Sequence, residues 1–373
     1  MSAKDLANAV QKTGSWVSQL ERGAKELTPE VAEAFAAVLD VPPTFLLGGA
    51  VEPTAGVLHF RHKRRTPAAQ RHRVFARALL VRQLIQELER EFEELYRPQL
   101  PEIELPGDPG DDGRMERIDR AAAKVRRTWE MGDGPIPDLV RLVEVRGIWV
   151  IGLPPEDRAV DAYSWWGDGH GFIALNPVPL DGSDVHRGGQ RNAYRERFNV
   201  AHELGHLVLH GDLPEDAVGT REVENEAHRF AASFLVPPKQ WVALSPRTGV
   251  WQDYKALAHR WGVSGSVLLR RDLDLGLIDY PRYRASMIRL SGSIGRKQEG
   301  LHLPPRVHET PGRLRAHLAT LATQGEVDLQ DLASRMHVHE SDLVPLVAPL
   351  SPHQSTGASG KVLMFPGSKP PDG

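Results

Sequence analysis

His202-Glu203-Leu204-Gly205-His206 sets two imidazoles four residues apart, with a carboxylate beside the first. On a helix this spacing puts both rings on one face, about 6 Å apart along the axis, so both can converge on one ion. Zinc takes imidazole nitrogen at roughly 2.0–2.1 Å, and a catalytic site adds a third protein ligand and keeps one position for water. Glu203, about 100° around the helix, falls outside the ligand set but within reach of that water. There it would accept a proton as the ion lowers the water's pKa toward ~7, then pass it to a leaving amine. Phe198, Ala201, Leu204, Leu207 and Val208 make the segment a mostly buried helix, where polar groups need partners.

The third ligand must come from elsewhere. A continuing helix carries His210 about 12 Å along the axis from His202, too far to share an ion, so His210 is expected behind the site or at the surface. The next helix, around Glu222–Ala232, offers Glu222, Glu224 and Glu226. Glu226 shares a face with Phe230, and a carboxylate beside buried aromatics needs a counter-charge that a metal would supply. Glu222 and Glu224 compete with it, and spacing alone does not choose.

The elements that position these residues follow from periodicity and punctuation. Residues 1–49 read as short helices, with Thr13 or Ser15 capping the second and Thr28-Pro29 opening the third. Residues 50–113 form a connecting region. It holds eight Lys/Arg between Arg61 and Arg82 with no acid, then turns acidic through Glu87–Glu94 and ends in a Pro/Gly/Asp-rich linker from Pro98 to Gly113. Residues 114–240 carry helices near Ile118–Trp129 and Ile136–Val145, strand-like runs at Gly147–Ile151 and Gly171–Leu175, and helices near Arg195–Leu209 and Glu222–Leu235. Helices continue over 241–350, and the Ser/Gly/Pro-rich tail 351–373 is expected to be disordered, with Val362–Phe365 as a docking patch.

One spacing recurs. Leu6-Ala7 is followed by Val10 and Val17, Leu257-Ala258 by Trp261 and Leu268, and Leu332-Ala333 by Met336 and Leu343. Apolar residues at offsets 0, 4 and 11 are those of two short helices packed across a tight turn. The repeat is expected to be a packing unit rather than three DNA-binding sites.

Composition narrows the function classes. The 373 residues hold 46 Lys+Arg against 49 Asp+Glu, a net charge of −3, so the chain is not generally cationic. With 16 His and no Cys, disulfides, thiolate catalysis, iron–sulfur clusters and Cys-ligated zinc are excluded, and a metal site must use His and carboxylates. No apolar run approaches the ~20 residues of a membrane helix, and Met1–Asp5 lacks the start of a signal peptide. The expectation is a soluble, cytoplasmic protein of fold class α+β, mainly α.

Arg195-Glu196-Arg197-Phe198-Asn199-Val200-Ala201-His202-Glu203-Leu204-Gly205-His206 resembles the zinc-helix signature of the ImmA/IrrE metallopeptidases. Glu224-Asn225-Glu226-Ala227-His228-Arg229-Phe230-Ala231 resembles that family's second motif, with His228 where the family usually has Asn. The resemblance spans roughly residues 118–290. It implies a zincin-like domain with a small sheet, Glu226 as third metal ligand beside His202 and His206, and Glu203 as catalytic base. It also implies an endopeptidase that cleaves a helix-turn-helix repressor in stress responses or mobile-element control. Zinc is the implied ion, and manganese also suits a His/carboxylate set.

Leu6-Ala7, Val17-Ser18-Gln19-Leu20-Glu21-Arg22-Gly23 and Leu39-Asp40-Val41 resemble the XRE-type, lambda-repressor-like helix-turn-helix. The match departs at Gln11-Lys12, where the turn usually carries Gly and an apolar residue, and the module's first helix is expected to be missing before Leu6. Ser15, Trp16 and Gln19 would face base edges, with Arg61–Arg82 supplying phosphate contacts. Residues 1–50 alone hold four Lys/Arg against six Asp/Glu, too few to bind DNA strongly by charge. The competing reading is an XRE-family DNA-binding regulator whose zincin domain is structural or sensory; the intact Glu203, which a structural site does not need, argues against it.

Overall fold

The computed structural model describes residues 3–48, 59–60, 68–92, 97–107, 111, 113–152, 162–175, 193–211, 213, 217, 219–293, 303–304, 306, 308–324 and 327–347. Its first elements are α1 (Ala3–Ala9), α2 (Gly14–Glu21), α3 (Pro29–Leu39), α4 (Pro43–Leu47), β1 (His59–Phe60) and α5 (Ala68–Glu91). Then come α6 (Arg114–Thr128), α7 (Leu139–Val145), β2 (Trp149–Gly152), β3 (Ala162–Gly167), β4 (His170–Leu175), α8 (Ala193–Leu209) and α9 (Arg221–Leu235). The remainder is α10 (Pro238–Leu244), α11 (Trp251–Trp261), α12 (Gly265–Asp274), α13 (Tyr280–Ser293), α14 (Arg313–Gln324), α15 (Leu329–Arg335) and α16 (Glu340–Val347). The chain is mainly helical with a small mixed sheet, as expected. Arg61, Lys63, Arg64 and Arg65 of the basic stretch, the glycine-bearing loop before α8 and the tail 351–373 lie outside the described residues. No helix among the described residues is long and apolar enough to cross a membrane.

The chain divides into two compact units. One takes Met1–Thr54, Ala76–Glu94 and Arg315–Ala348; the other takes Ala55–Phe75, Leu95–Leu314 and Pro349–Gly373. Residues 241–314 join the 114–240 segment because they share its core. Trp241, Tyr254, Trp261, Leu268 and Met287 belong to one buried cluster with Phe230, Phe234 and Val200.

In the smaller unit, Ala7, Val17 and Phe35 form a core with Trp16 stacked on Phe35 at 6.2 Å. Thr13 caps α2 by accepting from the Trp16 amide, and Thr28 caps α3 by accepting from that of Val31. Val81, Leu84, Ile85 and Leu88 of α5 are buried, Gln83 donates to the Met336 carbonyl, and Arg335 pairs with Glu91.

All three copies of the repeated spacing are helix–turn–helix pairs: α1–α2, α11–α12 and α15–α16. Ala7, Ala258 and Ala333 are buried one step after the leading Leu, and Val17, Leu268 and Leu343 are buried at offset 11. Offset 5 is left-handed in each: Gln11 at φ 54°, Gly262 at 66° and His337 at 57°. Non-glycine residues enter that region at a cost, so the common turn is imposed by packing of the flanking helices.

The sheet of the larger unit has the order β1-β3-β4-β2. Strand β2 runs parallel to β4, with Trp149 opposite Phe172; β3 runs antiparallel to β4, with Ala162 opposite Leu175. Strand β1 adds a short antiparallel edge, with His59 opposite Ser164. Gly167 pairs with His170, so β3 and β4 join through Asp168-Gly169 alone, at φ 51° and 78°. That is the two-residue turn with both φ positive, which Asp-Gly favours. Helix α8 lies on this sheet and against α9, which packs in turn on α6.

Candidate metal centre

Two helices bring the chemistry together. In α8 His202, Glu203 and His206 are all essentially inaccessible to solvent. Helix α9 starts at a Thr220 cap, whose hydroxyl accepts from the Val223 amide. It crosses close to α8 at Gly205: a Cβ there would lie 3.1 Å from the Phe230 ring and 3.3 Å from the Ala227 carbonyl. Glycine within the motif lets α9 approach closely enough for its first-turn carboxylate to reach the imidazoles.

That carboxylate is Glu224. The Nε2 atoms of His202 and His206 are 3.1 Å apart, Glu224 Oε2 is 3.4 Å from His202 Nε2, and Glu224 Oε1 is 3.6 Å from His206 Nε2. These three residues are the group among the described residues whose ligand atoms lie close enough to hold one ion. Ligands at zinc distances around a tetrahedral centre are about 3.3 Å apart, so the three separations fit such an ion. Burial lowers the pKa of the His206 imidazole, favouring the neutral form that metals bind. Burial opposes charge on Glu224, but hydrogen bonding to His202 and His206 outweighs it and holds the carboxyl far below its usual range.

Glu226, the expected third ligand, is directed elsewhere. Arg114 from α6 grips its carboxylate with two bonds, Nε to Oε1 at 2.5 Å and Nη2 to Oε2 at 3.1 Å. His210 Nε2 lies 3.1 Å from Glu226 Oε2. The counter-charge that this buried carboxylate requires is supplied by a guanidinium, and Glu224, one of its competitors, faces the imidazoles. Glu222 is exposed. His210 is fully buried behind the site, its Nδ1 3.0 Å from His206 Nδ1.

Glu203 is on the same helix, one residue from His202. Ser164 of β3 donates its hydroxyl to Glu203 Oε2 at 2.8 Å. The sequence reading placed no strand over 162–167 and so missed Ser164, although Asp168-Gly169 was a hairpin signal. His228 packs its ring 4.5 Å from that of His202 and donates from Nδ1 to the Glu224 carbonyl at 2.6 Å.

The start of α8 is held from the other side. Arg197 donates to the Ile136 carbonyl and pairs with Glu309, whose second oxygen accepts from the Leu139 and Val140 amides at the start of α7. Tyr194 donates to the Pro304 carbonyl at 2.8 Å, and Glu196 lies 3.0 Å from His308 Nδ1.

Of the residues expected at a DNA interface, Ser15 is exposed, Gln19 half-buried, and Trp16 packed on Phe35 with Lys12 and Lys25 over its ring at 5.3 and 5.7 Å. Within the basic stretch Arg82 is buried.

A search of characterised proteins found no match to this chain. Residues 143–271, from the end of α7 into α12, match the family model of the M78 peptidases described as the IrrE N-terminal-like domain. That stretch contains β2, β3 and β4 of the sheet with α8 and α9, and the match supports its assignment to the metallopeptidases of the ImmA/IrrE type.

Proposed function

We propose that the chain is a zinc-dependent endopeptidase in which His202, His206 and Glu224 hold the ion and Glu203 is the catalytic base. The observation that carries this reading is the convergence of two buried imidazole nitrogens and one half-buried carboxylate, with a second, buried carboxylate one residue from His202 on the same helix. Manganese suits the same donor set.

A divalent ion held by these ligands would supply Lewis-acid activation of water and of the scissile carbonyl. Glu203 takes the proton of the attacking water and returns it to the leaving amine. Ser164 donates to Glu203 Oε2 and restrains the carboxylate's rotation. His202 and His206 project one turn apart from a single buried helix, so the ligand pair needs little rearrangement to form the site.

By resemblance, the substrate is a helix-turn-helix repressor and the outcome is relief of repression, in the cytoplasm where such repressors act. The N-terminal bundle would bring the enzyme to that repressor or to DNA. The excess of acid over base in residues 1–50 and the packing of Trp16 on Phe35 favour a protein partner over base-specific reading by Ser15, Trp16 and Gln19. The test is metal content after dialysis against trace zinc for wild type, Glu224→Ala and Glu226→Ala. About one ion per chain, lost in Glu224→Ala, supports the ligand set. A wild type that holds none refutes it.

A further inference from the structure

We infer that His210 and Glu226 are positioning residues of the metal centre, a hydrogen-bonded relay that orients His206 and is anchored by Arg114. The inference rests on the metallopeptidase reading above and concerns side chains that touch neither ion nor substrate.

The relay is continuous and buried. His206 Nδ1 lies 3.0 Å from His210 Nδ1, His210 Nε2 lies 3.1 Å from Glu226 Oε2, and Arg114 closes on both oxygens of Glu226. His206, His210, Glu226 and Arg114 are each no more than 3% exposed. Arg114 is itself fixed by the Leu105 and Gly107 carbonyls, which accept from its Nη1 at 3.2 and 2.5 Å.

The chemistry of the donors sets the direction of every bond. His206 turns Nε2 toward His202 and Glu224, so as a neutral ligand it must carry its proton on Nδ1. That N–H donates to His210 Nδ1, which must then be an acceptor. The His210 proton is therefore on Nε2, where it donates to Glu226. Arg114 bonds both oxygens of Glu226, which leaves the carboxylate as the acceptor at the end of the relay. One tautomer of each ring satisfies the chain, and it is the one that leaves His206 Nε2 as an acceptor facing His202 and Glu224. A ligand histidine whose second nitrogen is bound in this way is oriented and more basic.

A purely structural role, in which buried polar groups merely satisfy one another, gives a different result in solution. Zinc and cobalt affinities would be measured by chelator competition on the full chain, with the cobalt visible spectrum recorded for each variant. His210→Phe keeps the volume and removes the acceptor; it should weaken metal binding about 10- to 100-fold and alter the cobalt bands, with saturation still reached at one ion per chain. His210→Asn places an oxygen near the position of Nδ1 and should recover most of the affinity.

Equal weakening in the Phe and Asn variants, or none in either, would overturn the relay while leaving the metallopeptidase reading intact. A wild type that binds no ion would overturn both. Nitrogen-15 chemical shifts of zinc-loaded wild type decide the matter without any variant, should His210→Phe fail to fold. The relay requires the proton of His210 on Nε2, and finding it on Nδ1 would refute it.

Discussion

Along α9, Arg229 is clasped by Asp119 at 3.0 and 2.6 Å and by Asp274 at 3.2 Å, and Asp119 also accepts from Arg271 at 3.1 Å. Five residues earlier on the same helix, Glu224 faces two imidazoles. Both regions are polar and largely shielded from solvent. In the first, carboxylates meet guanidinium groups that are always charged, so the cluster is complete as folded. In the second, carboxylate and imidazole can be joined by a divalent cation, which turns buried polar groups into a site. Glu226 lies between the two and belongs with the first, since its partner is Arg114. Which cation a buried carboxylate meets separates framework from chemistry here.

The largest expected effect tests the chemical region. Glu203→Gln should keep the ion and lose about 10²–10⁴-fold in peptide hydrolysis, because the amide cannot accept the water's proton. A zinc-loaded Gln variant that cuts a repressor at the wild-type rate would remove Glu203 from the mechanism. Arg229→Met tests the framework region. It leaves Asp119 and Asp274 without their shared partner and should cost about 3–5 kcal/mol in urea unfolding. Glu224→Gln, measured without metal, should cost far less. If the two variants lose equal stability, the contrast between the regions fails.

The sequence carried the chemical region further than the framework. His202, Glu203 and His206 lie within one helical turn, so their relation follows from 3.6 residues per turn and the apolar residues around them. The choice between Glu224 and Glu226 did not follow, because it depends on Arg114, whose separation of more than a hundred positions no local pattern reports. Ser164 was hidden for a related reason: β3 is buried on both faces apart from Trp166, so its residues show no alternation of apolar and polar. The repeated apolar spacing did translate into three helix–turn–helix pairs, since local packing alone sets it.

Glu144 adds a third kind of partner. At the end of α7 its carboxylate accepts from the Gly312 and Arg313 amides at 3.0 Å each, so partial charges of backbone groups stand where guanidinium or metal stands elsewhere. Burial pushes its pKa up to about 7, against those bonds and the Arg313 charge, which lower it. The folded state therefore binds this proton more tightly than the unfolded state does. The resulting stability is fully present below the unfolded pKa of ~4.3 and is lost as pH rises through about 7, a change on the order of 3 kcal/mol. Glu144→Gln keeps an acceptor for both amides and cannot titrate. Its unfolding free energy relative to wild type should therefore rise from pH 5 and level off above about pH 7. A difference that stays constant over that range would mean that the two amides hold this carboxylate charged as effectively as Arg114 holds Glu226.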